Sequence, residues 1–231
     1  MVKKLKKRDK ISVIIRTKNE ARWIGHAIQS VLDNLYKPEI IIVDNFSTDE
    51  TINIVRQFLQ DPNLVDKNNR NYVKIKIFKI ESYTPGKSLN FAVSKCSNDL
   101  ILILSAHCVL KKFNFDHIKK EMKKFSCIFG KQNPIYFGKK INKRYIWSHF
   151  LDKRIVNMYS QLEKRYFFHN ALAIYSKKIL KKYKFDENLA GKEDRYWINE
   201  LVRKKYKFLY DPNLEADHHY TINGNTWKGI G

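Results

Sequence analysis

Leu100-Ile-Leu-Ile-Leu-Ser105-Ala-His107-Cys108 is the stretch on which the fold turns. Its first five residues are all apolar and read as a strand buried on both faces, the pattern of a parallel sheet covered by helices on either side. The strand delivers Ser105-Ala106-His107 at its C-terminal end, where open α/β sheets hold their ligands. Upstream, residues 11–15 (ISVII) and 40–43 (IIIV) are apolar runs of the same kind, and each empties into a polar loop, 16–20 and 44–49. Residues 21–32 carry Ile24, Ile28 and Val31 or Leu32 at helical spacing. Ser47 and Glu50 have capping-box spacing ahead of a helix expected over 51–59. Residues 73–77 alternate apolar and polar, which predicts a strand with one wet face near a sheet edge. After the Thr84-Pro-Gly turn, 87–96 reads as a helix with Leu89, Ala92 and Val93 inward. The order β-α-β-α-β-α-β predicts a doubly wound parallel sheet with helices on both faces.

The second half is less regular. Helix is expected over 116–124 and 193–205, and strands over 126–129, 171–175 and 208–210, the last turned by Asp211-Pro212. Ser176 is placed to cap a short helix. Between 134 and 168 aromatic residues are interleaved with basic ones without a clean period, and the stretch reads mostly as amphipathic helices rather than as a binding region over the sheet. Residues 61–63 break the chain, and 66–71 read as a surface loop.

Composition narrows the class. With 231 residues, 43% hydrophobic and 13% aromatic, the chain is globular and long enough for one sizeable core. No repeat or low-complexity linker divides it. No apolar run approaches the roughly 18–20 residues of a membrane span. The basic start, Met1-Val-Lys-Lys-Leu-Lys-Lys-Arg8, lacks the apolar segment of a secretion signal, so a cytoplasmic location is expected. Cys96, Cys108 and Cys127 form an odd set without CxxC spacing, which predicts reduced thiols. The net charge of +22 is spread over scattered lysine pairs. That scatter fits either compositional bias or contact with the anionic inner face of a membrane, helped by the N-terminal basic run. Charge alone makes no case for a nucleic-acid partner, and none is expected.

Loops 16–20, 44–49 and 105–107 outline one crevice at the strand ends. The first of them lacks the glycine-rich phosphate fingerprint of dinucleotide-dependent dehydrogenases. Asp44 at the end of the second strand suits a hydrogen bond to a ribose or base, or equally a helix-approach turn.

Five ordered blocks, ISVIIRTKNE (11–20), IVDNFSTD (42–49), KSLN (87–90), LILSAH (102–107) and EDRYW (193–197), resemble the GT-A-fold glycosyltransferases of family 2. The resemblance covers about residues 11 to 220 and implies a Rossmann-like, mostly parallel α/β sheet flanked by helices. It implies a single domain, 1–231, with a nucleotide-sugar-binding half (11–110) and an acceptor-binding and catalytic half (111–231). The implied reaction is inverting transfer of a sugar from a nucleotide-diphosphate donor to a hydroxyl of a glycan, lipid-linked or other glycoconjugate acceptor, as in surface polysaccharide synthesis. Carried over by position, Thr17, Glu20, Asp44 and Asn45 line the nucleotide pocket, and Asn45 stands where a second acid is usual. Ser47 contacts the nucleotide or caps a helix. Lys87 and Asn90 lie by the nucleotide and its phosphates, with Lys87 as a point charge. Asp194 aligns with the general base that deprotonates the attacking hydroxyl, while Glu193, on the acceptor side, complements the helix dipole. Trp197 and His169 either face the acceptor or pack in the core.

The departure from the family pattern is at the fourth strand, where Ser105 and His107 replace an Asp-x-Asp that holds a divalent ion against the donor diphosphate. Imidazole suits Mn²⁺ better than Mg²⁺, and His107 with His218 or His219 makes a candidate ligand set. The alternative is a metal-independent site in which Lys87 and other basic groups offset the leaving charge. Loss of the two acids also fits a non-catalytic nucleotide-sugar-binding scaffold.

Overall fold

A computed structural model describes residues 10–60, 73–224 and 227; the expected loop at 66–71 lies outside them. In chain order the elements are β1 Ile11–Thr17, α1 Ile24–Asn34, β2 Glu39–Asp44, α2 Thr51–Gln60, β3 Lys74–Lys79, α3 Pro85–Lys95, β4 Leu100–Ser105, β5 Cys108–Lys112, α4 Phe115–Glu121 and β6 Cys127–Tyr136. They continue with β7 Lys139–Lys140, a 3₁₀ turn Tyr145–His149, β8 Ile155–Val156, β9 Tyr159–Ser160, β10 Arg165–Tyr166, β11 Leu172–Ser176, α5 Lys177–Lys182, α6 Glu193–Arg203 and β12 Phe208–His219.

One sheet runs β3-β2-β1-β4-β11-β6-β12-β5. Its first four strands are mutually parallel, and three of them, β1, β2 and β4, are the apolar runs buried on both faces: every residue of β2 is buried. β3, half wet, is the edge strand expected from its alternation. Beyond β4 the sheet is mixed, since β11 runs antiparallel to β4 while β12 runs parallel to β6. Two cores cover the sheet. Leu89, Ala92 and Val93 of α3 join Ile179 and Leu180 of α5 and Trp197, Ile198 and Leu201 of α6 on one face. Ile24, Ala27, Ile28 and Val31 of α1 join Val55 of α2 and Ile118 of α4 on the other. The three cysteines are free and buried, and burial raises each thiol's pKa.

Four expectations are corrected. The Ser47/Glu50 capping box does not form: the Ser47 hydroxyl donates to Asp44 Oδ1 and accepts Asn19 N–H. α3 starts earlier than expected, with Thr84 accepting Lys87 N–H as N-cap and Pro85 at the first helical position. Residues 134–168 hold short strands and a 3₁₀ turn instead of amphipathic helices. Positive φ at Phe137, Tyr145, Asn157 and Lys164 repeatedly interrupts them, while Trp147, Phe150, Phe167 and Phe168 sink completely into the core. Finally, Asp211-Pro212 does not end a strand. β12 passes through it on a bulge between Asp211 and Glu215, the one kind of place where a sheet tolerates the missing proline N–H. Gly130 makes room, because a Cβ there would sit 2.5 Å from Leu214 O and from the Leu172 side chain.

Candidate active site

The C-terminal ends of β1 and β4, the segment 169–171 and the first turn of α6 enclose a cavity of about 650 Å³. Of the residues singled out from sequence, Thr17, Glu20, Asn45, Ser105, His107, His169, Glu193 and Asp194 line it. Two buried oxygens there, Thr17 Oγ1 and Glu20 Oε2, have no hydrogen-bond partner. Buried polar atoms are normally satisfied, so these two mark a wall built for a polar ligand.

A chain of side-chain hydrogen bonds runs beneath the floor. Glu20 Oε1 meets His107 Nδ1 at 3.1 Å, and His107 Nε2 meets His218 Nε2 at 3.1 Å. His218 Nδ1 then meets Gln132 Oε1 at 2.8 Å, and Gln132 Nε2 meets His169 Nδ1 at 3.1 Å. The proton positions follow from one backbone group. Ala171 N–H donates to His169 Nδ1 at 3.3 Å, so that nitrogen is an acceptor and the Gln132 amide NH₂ must face it. The Gln132 carbonyl therefore faces His218, Nδ1 of His218 carries the proton, and Nε2 of His218 turns its lone pair toward His107. Burial pushes the His218 pKa well below the usual imidazole range. Burial, with Arg195 behind it, takes His169 down to about 3. Both rings are held neutral.

Neutral imidazole is the metal-binding form; a metal would take the place of the proton that His107 Nε2 shares with His218 Nε2, while the Glu20 carboxylate orients the His107 ring from its far side, as such partners do in metal sites. His107 and His218 thus fit a divalent ion as two donors. His219 is placed differently: its ring stacks on Trp23 with centroids 3.9 Å apart, and its buried Nδ1 has no hydrogen-bond partner. Among the described residues no group of three or more His, Cys, Asp or Glu is arranged to hold a metal. Any ion at the pair must complete its shell from the ligand.

Across the cavity, α6 presents two adjacent acids. Burial alone raises a carboxyl pKa, but for Asp194 it is outweighed by the Arg195 guanidinium and the N–H groups of Asn170 and Arg195, which lower it. Asp194 Oδ2 accepts Asn170 N–H at 2.9 Å, while Oδ1 accepts Arg195 N–H at 2.8 Å and Arg195 Nη1 at 3.2 Å. A carboxylate has about four lone-pair sites, so one is left for a ligand. Glu193 goes the other way: burial and the neighbouring Asp194 charge raise its pKa. It is tied to Arg16 Nη2 at 3.5 Å and to Asn170 Nδ2 at 3.3 Å, more than a helix-dipole role requires.

The remaining sequence candidates lie off the cavity wall. Asp44 is wholly buried and accepts both the N–H and the hydroxyl of Ser47. Lys87 is partly buried in the first turn of α3. Asn90 is committed to Phe185 and Glu187 and pins the 185–187 loop onto α3. Trp197 packs between Tyr175 and Phe185 and donates its indole N–H to Tyr183 O, which places it in the core. The cations that do reach the cavity are Arg16 and Arg195, together with Lys18 and Lys192. Arg16 extends from the end of β1 to Pro85 O at 3.0 Å. It stands inside the first quoted block and Arg195 inside the last, directly after the acidic pair. Gln132 carries no such signal, because its importance arises from partners 37 and 86 residues away.

Residues 12–184 match the family described as Glycosyl transferase family 2. A Methanococcus voltae protein, a dolichyl N-acetyl-alpha-D-glucosaminyl phosphate 3-beta-D-2,3-diacetamido-2,3-dideoxy-beta-D-glucuronosyltransferase, is 24% identical over 90% of this chain and 66% of its own length. Staphylococcus aureus TarS 1-349 in complex with UDP-GlcNAc superposes with a TM-score of 0.65 at 19% identity, covering 96% of this chain and 62% of that one. The mannosyltransferase PcManGT of Pyrobaculum calidifontis, in complex with GDP-Man and Mn2+, gives a TM-score of 0.65 at 18% identity over 93% of this chain and 58% of that one. The chain thus spans about three fifths to two thirds of the length of these proteins. The structural likenesses give the fold, which is that of GT-A glycosyltransferases.

Proposed function

The chain belongs to glycosyl transferase family 2, and from that premise we propose that it moves a sugar from a nucleotide-diphosphate donor to a hydroxyl of a glycan or glycoconjugate. The observation that carries this reading is Asp194. It is ionised, hydrogen-bonded on both oxygens, and keeps one acceptor position on a cavity wall whose other side offers unpartnered polar groups. The donor occupies the β1–β4 side, against Thr17, Glu20, Asn45 and Ser105. The acceptor hydroxyl approaches from the α6 side. Its oxygen attacks the anomeric carbon in a single displacement, the bond to the diphosphate breaks, and configuration inverts. Asp194 takes the hydroxyl proton. Its lowered pKa makes it a modest base, so proton transfer comes late, once bond formation has acidified the hydroxyl.

Arg16 and Lys192 offset charge on the departing diphosphate, the task first assigned to Lys87. His107 and His218 would hold a divalent ion that neutralises the same oxygens, and imidazole donors favour Mn²⁺ over Mg²⁺. PcManGT bound to Mn2+ and TarS bound to UDP-GlcNAc support a donor and ion of these classes. The activities of TarS, a poly(ribitol-phosphate) beta-N-acetylglucosaminyltransferase, and of the M. voltae relative support a role in surface glycoconjugate synthesis.

We place the enzyme on the inner face of a membrane. The exposed Tyr136 and Phe137 at the β6–β7 turn, beside Lys139 and Lys140, favour that placement. No helix of the described residues is long and apolar enough to cross a membrane.

A panel of nucleotide sugars tested for thermal stabilisation with and without Mn²⁺ identifies the donor. Asp194→Asn then separates enzyme from scaffold. Turnover is expected to fall by about 10²–10⁴ while donor stabilisation persists. A wild-type protein that binds donor but turns over no acceptor in a glycoconjugate extract overturns the transferase reading in favour of a scaffold.

A further inference from the structure

A second cavity, of about 580 Å³, opens on the outer side of α6 and shares Arg195 with the first. Asp194 lines the first cavity only, and its neighbour Arg195 forms the wall between the two. Three exposed lysines of this groove, Lys182 and Lys184 at the end of α5 and Lys204 just past α6, have no carboxylate within ion-pair distance among the described residues. Two carboxylates, Asp186 and Glu200, also line the groove, and Glu200 pairs with Arg203. Arg165 and Arg195 also line the groove, their charge offset by Glu163 and, for Arg195, by Asp194 as well.

The groove is also aromatic. Tyr196 is half exposed under the Arg165 guanidinium, Tyr183 lies under Lys182 and Lys204, and Trp197 contributes to the floor. Lys182 also donates to Tyr206 Oη at 3.4 Å. Aromatic rings beside ammonium groups that no carboxylate neutralises recognise sugar rings that carry negative charge. A simple phosphate site needs no rings, and a duplex site needs a longer basic stripe.

We infer that this groove is an extended acceptor subsite, and that the acceptor is an anionic glycan, with phosphodiester or carboxylate groups along the chain, laid along α6 with its attacking hydroxyl at Asp194. The inference rests on the transferase reading for its orientation, but the binding it describes is measured without turnover.

The test compares two triple charge reversals of equal net charge. One is in the groove, Lys182→Glu with Lys184→Glu and Lys204→Glu. The other is remote, Lys139→Glu with Lys140→Glu and Lys153→Glu. Each is titrated with oligogalacturonate, inorganic polyphosphate, a neutral maltooligosaccharide and a single-stranded oligodeoxynucleotide. The groove variant is expected to lose about tenfold or more in affinity for oligogalacturonate, with the remote variant within about twofold of wild type. Weaker binding of polyphosphate than of oligogalacturonate supports a site that reads sugar as well as charge. Equal losses in both variants overturn the inference, since net charge would then explain the binding. So does tighter, groove-dependent binding of the oligodeoxynucleotide, or no saturable binding of either anionic chain. Donor stabilisation is measured on the same samples. If it is absent while groove binding holds, the transferase reading fails and the anionic-glycan site stands without its acceptor role.

Discussion

Gln132 decides the state of two histidines without touching the cavity. Its carbonyl fixes the proton of His218 on Nδ1, and its NH₂ satisfies His169. Gln132→Leu removes both hydrogen bonds at similar volume and leaves His218 free to turn its lone pair away from His107. We expect Mn²⁺ affinity, read by paramagnetic resonance on the resting protein, to fall about 10–100-fold, with the melting temperature marking any general damage. His219→Ala is the control. Because that ring stacks on Trp23 rather than facing His107, its loss is expected to leave Mn²⁺ affinity within about twofold; a larger drop would return it to the ligand set. Much of this site was legible in the sequence as position and little of it as partnership. The family pattern drew attention to Glu20, His107 and Asp194, which line one cavity. Arg16 carries no such mark in the sequence, because what matters about it is a reach to Glu193, 177 residues away.

Among elements, the parallel strands were the most readable. Residues 11–15, 40–43 and 100–104 are each extended by only one or two residues in β1, β2 and β4, since a strand buried on both faces cannot hide its apolar run. β12 was cut short at Pro212 because proline normally ends a strand, and the relief lay in a different strand, at Gly130. Gly130→Ala forces a Cβ against backbone and side chain at 2.5 Å and is expected to cost about 1–3 kcal/mol in chemical denaturation. At the opposite end of β2 from the cavity, Glu39 is buried and accepts from Ser12, Lys76 and Ser97. Its burial would raise the pKa, but these three partners bring it to about 2. A carboxyl lowered in the folded state stabilises above its unfolded pKa of about 4.3 and loses that contribution as pH falls toward 2. Glu39→Gln is expected to flatten the stability curve across that window and leave its slope above pH 5 unchanged, as measured by urea melts along a pH series.

At the scale of the whole molecule, a net charge of +22 repels itself in the compact state. Salt shortens the reach of that repulsion to about 8 Å at physiological ionic strength, so the melting temperature is expected to rise with NaCl; a flat or falling trend would mean that ion pairs outweigh the repulsion. The same molecule is closed by contacts between regions remote in sequence. Trp23 donates to Tyr220 O across 197 residues, Thr221 reaches Glu20 across 201, and Asn223 reaches Lys18 O across 205. This gives the protein a built-in timetable. The strands β1 to β4 can find one another as soon as they leave the ribosome, whereas His218, carried near the end of β12, arrives after nearly all of the sheet has been synthesised. The pairing of His107 with His218 therefore forms only once β12 has been made, and a polypeptide halted before β12 leaves His107 without its imidazole partner.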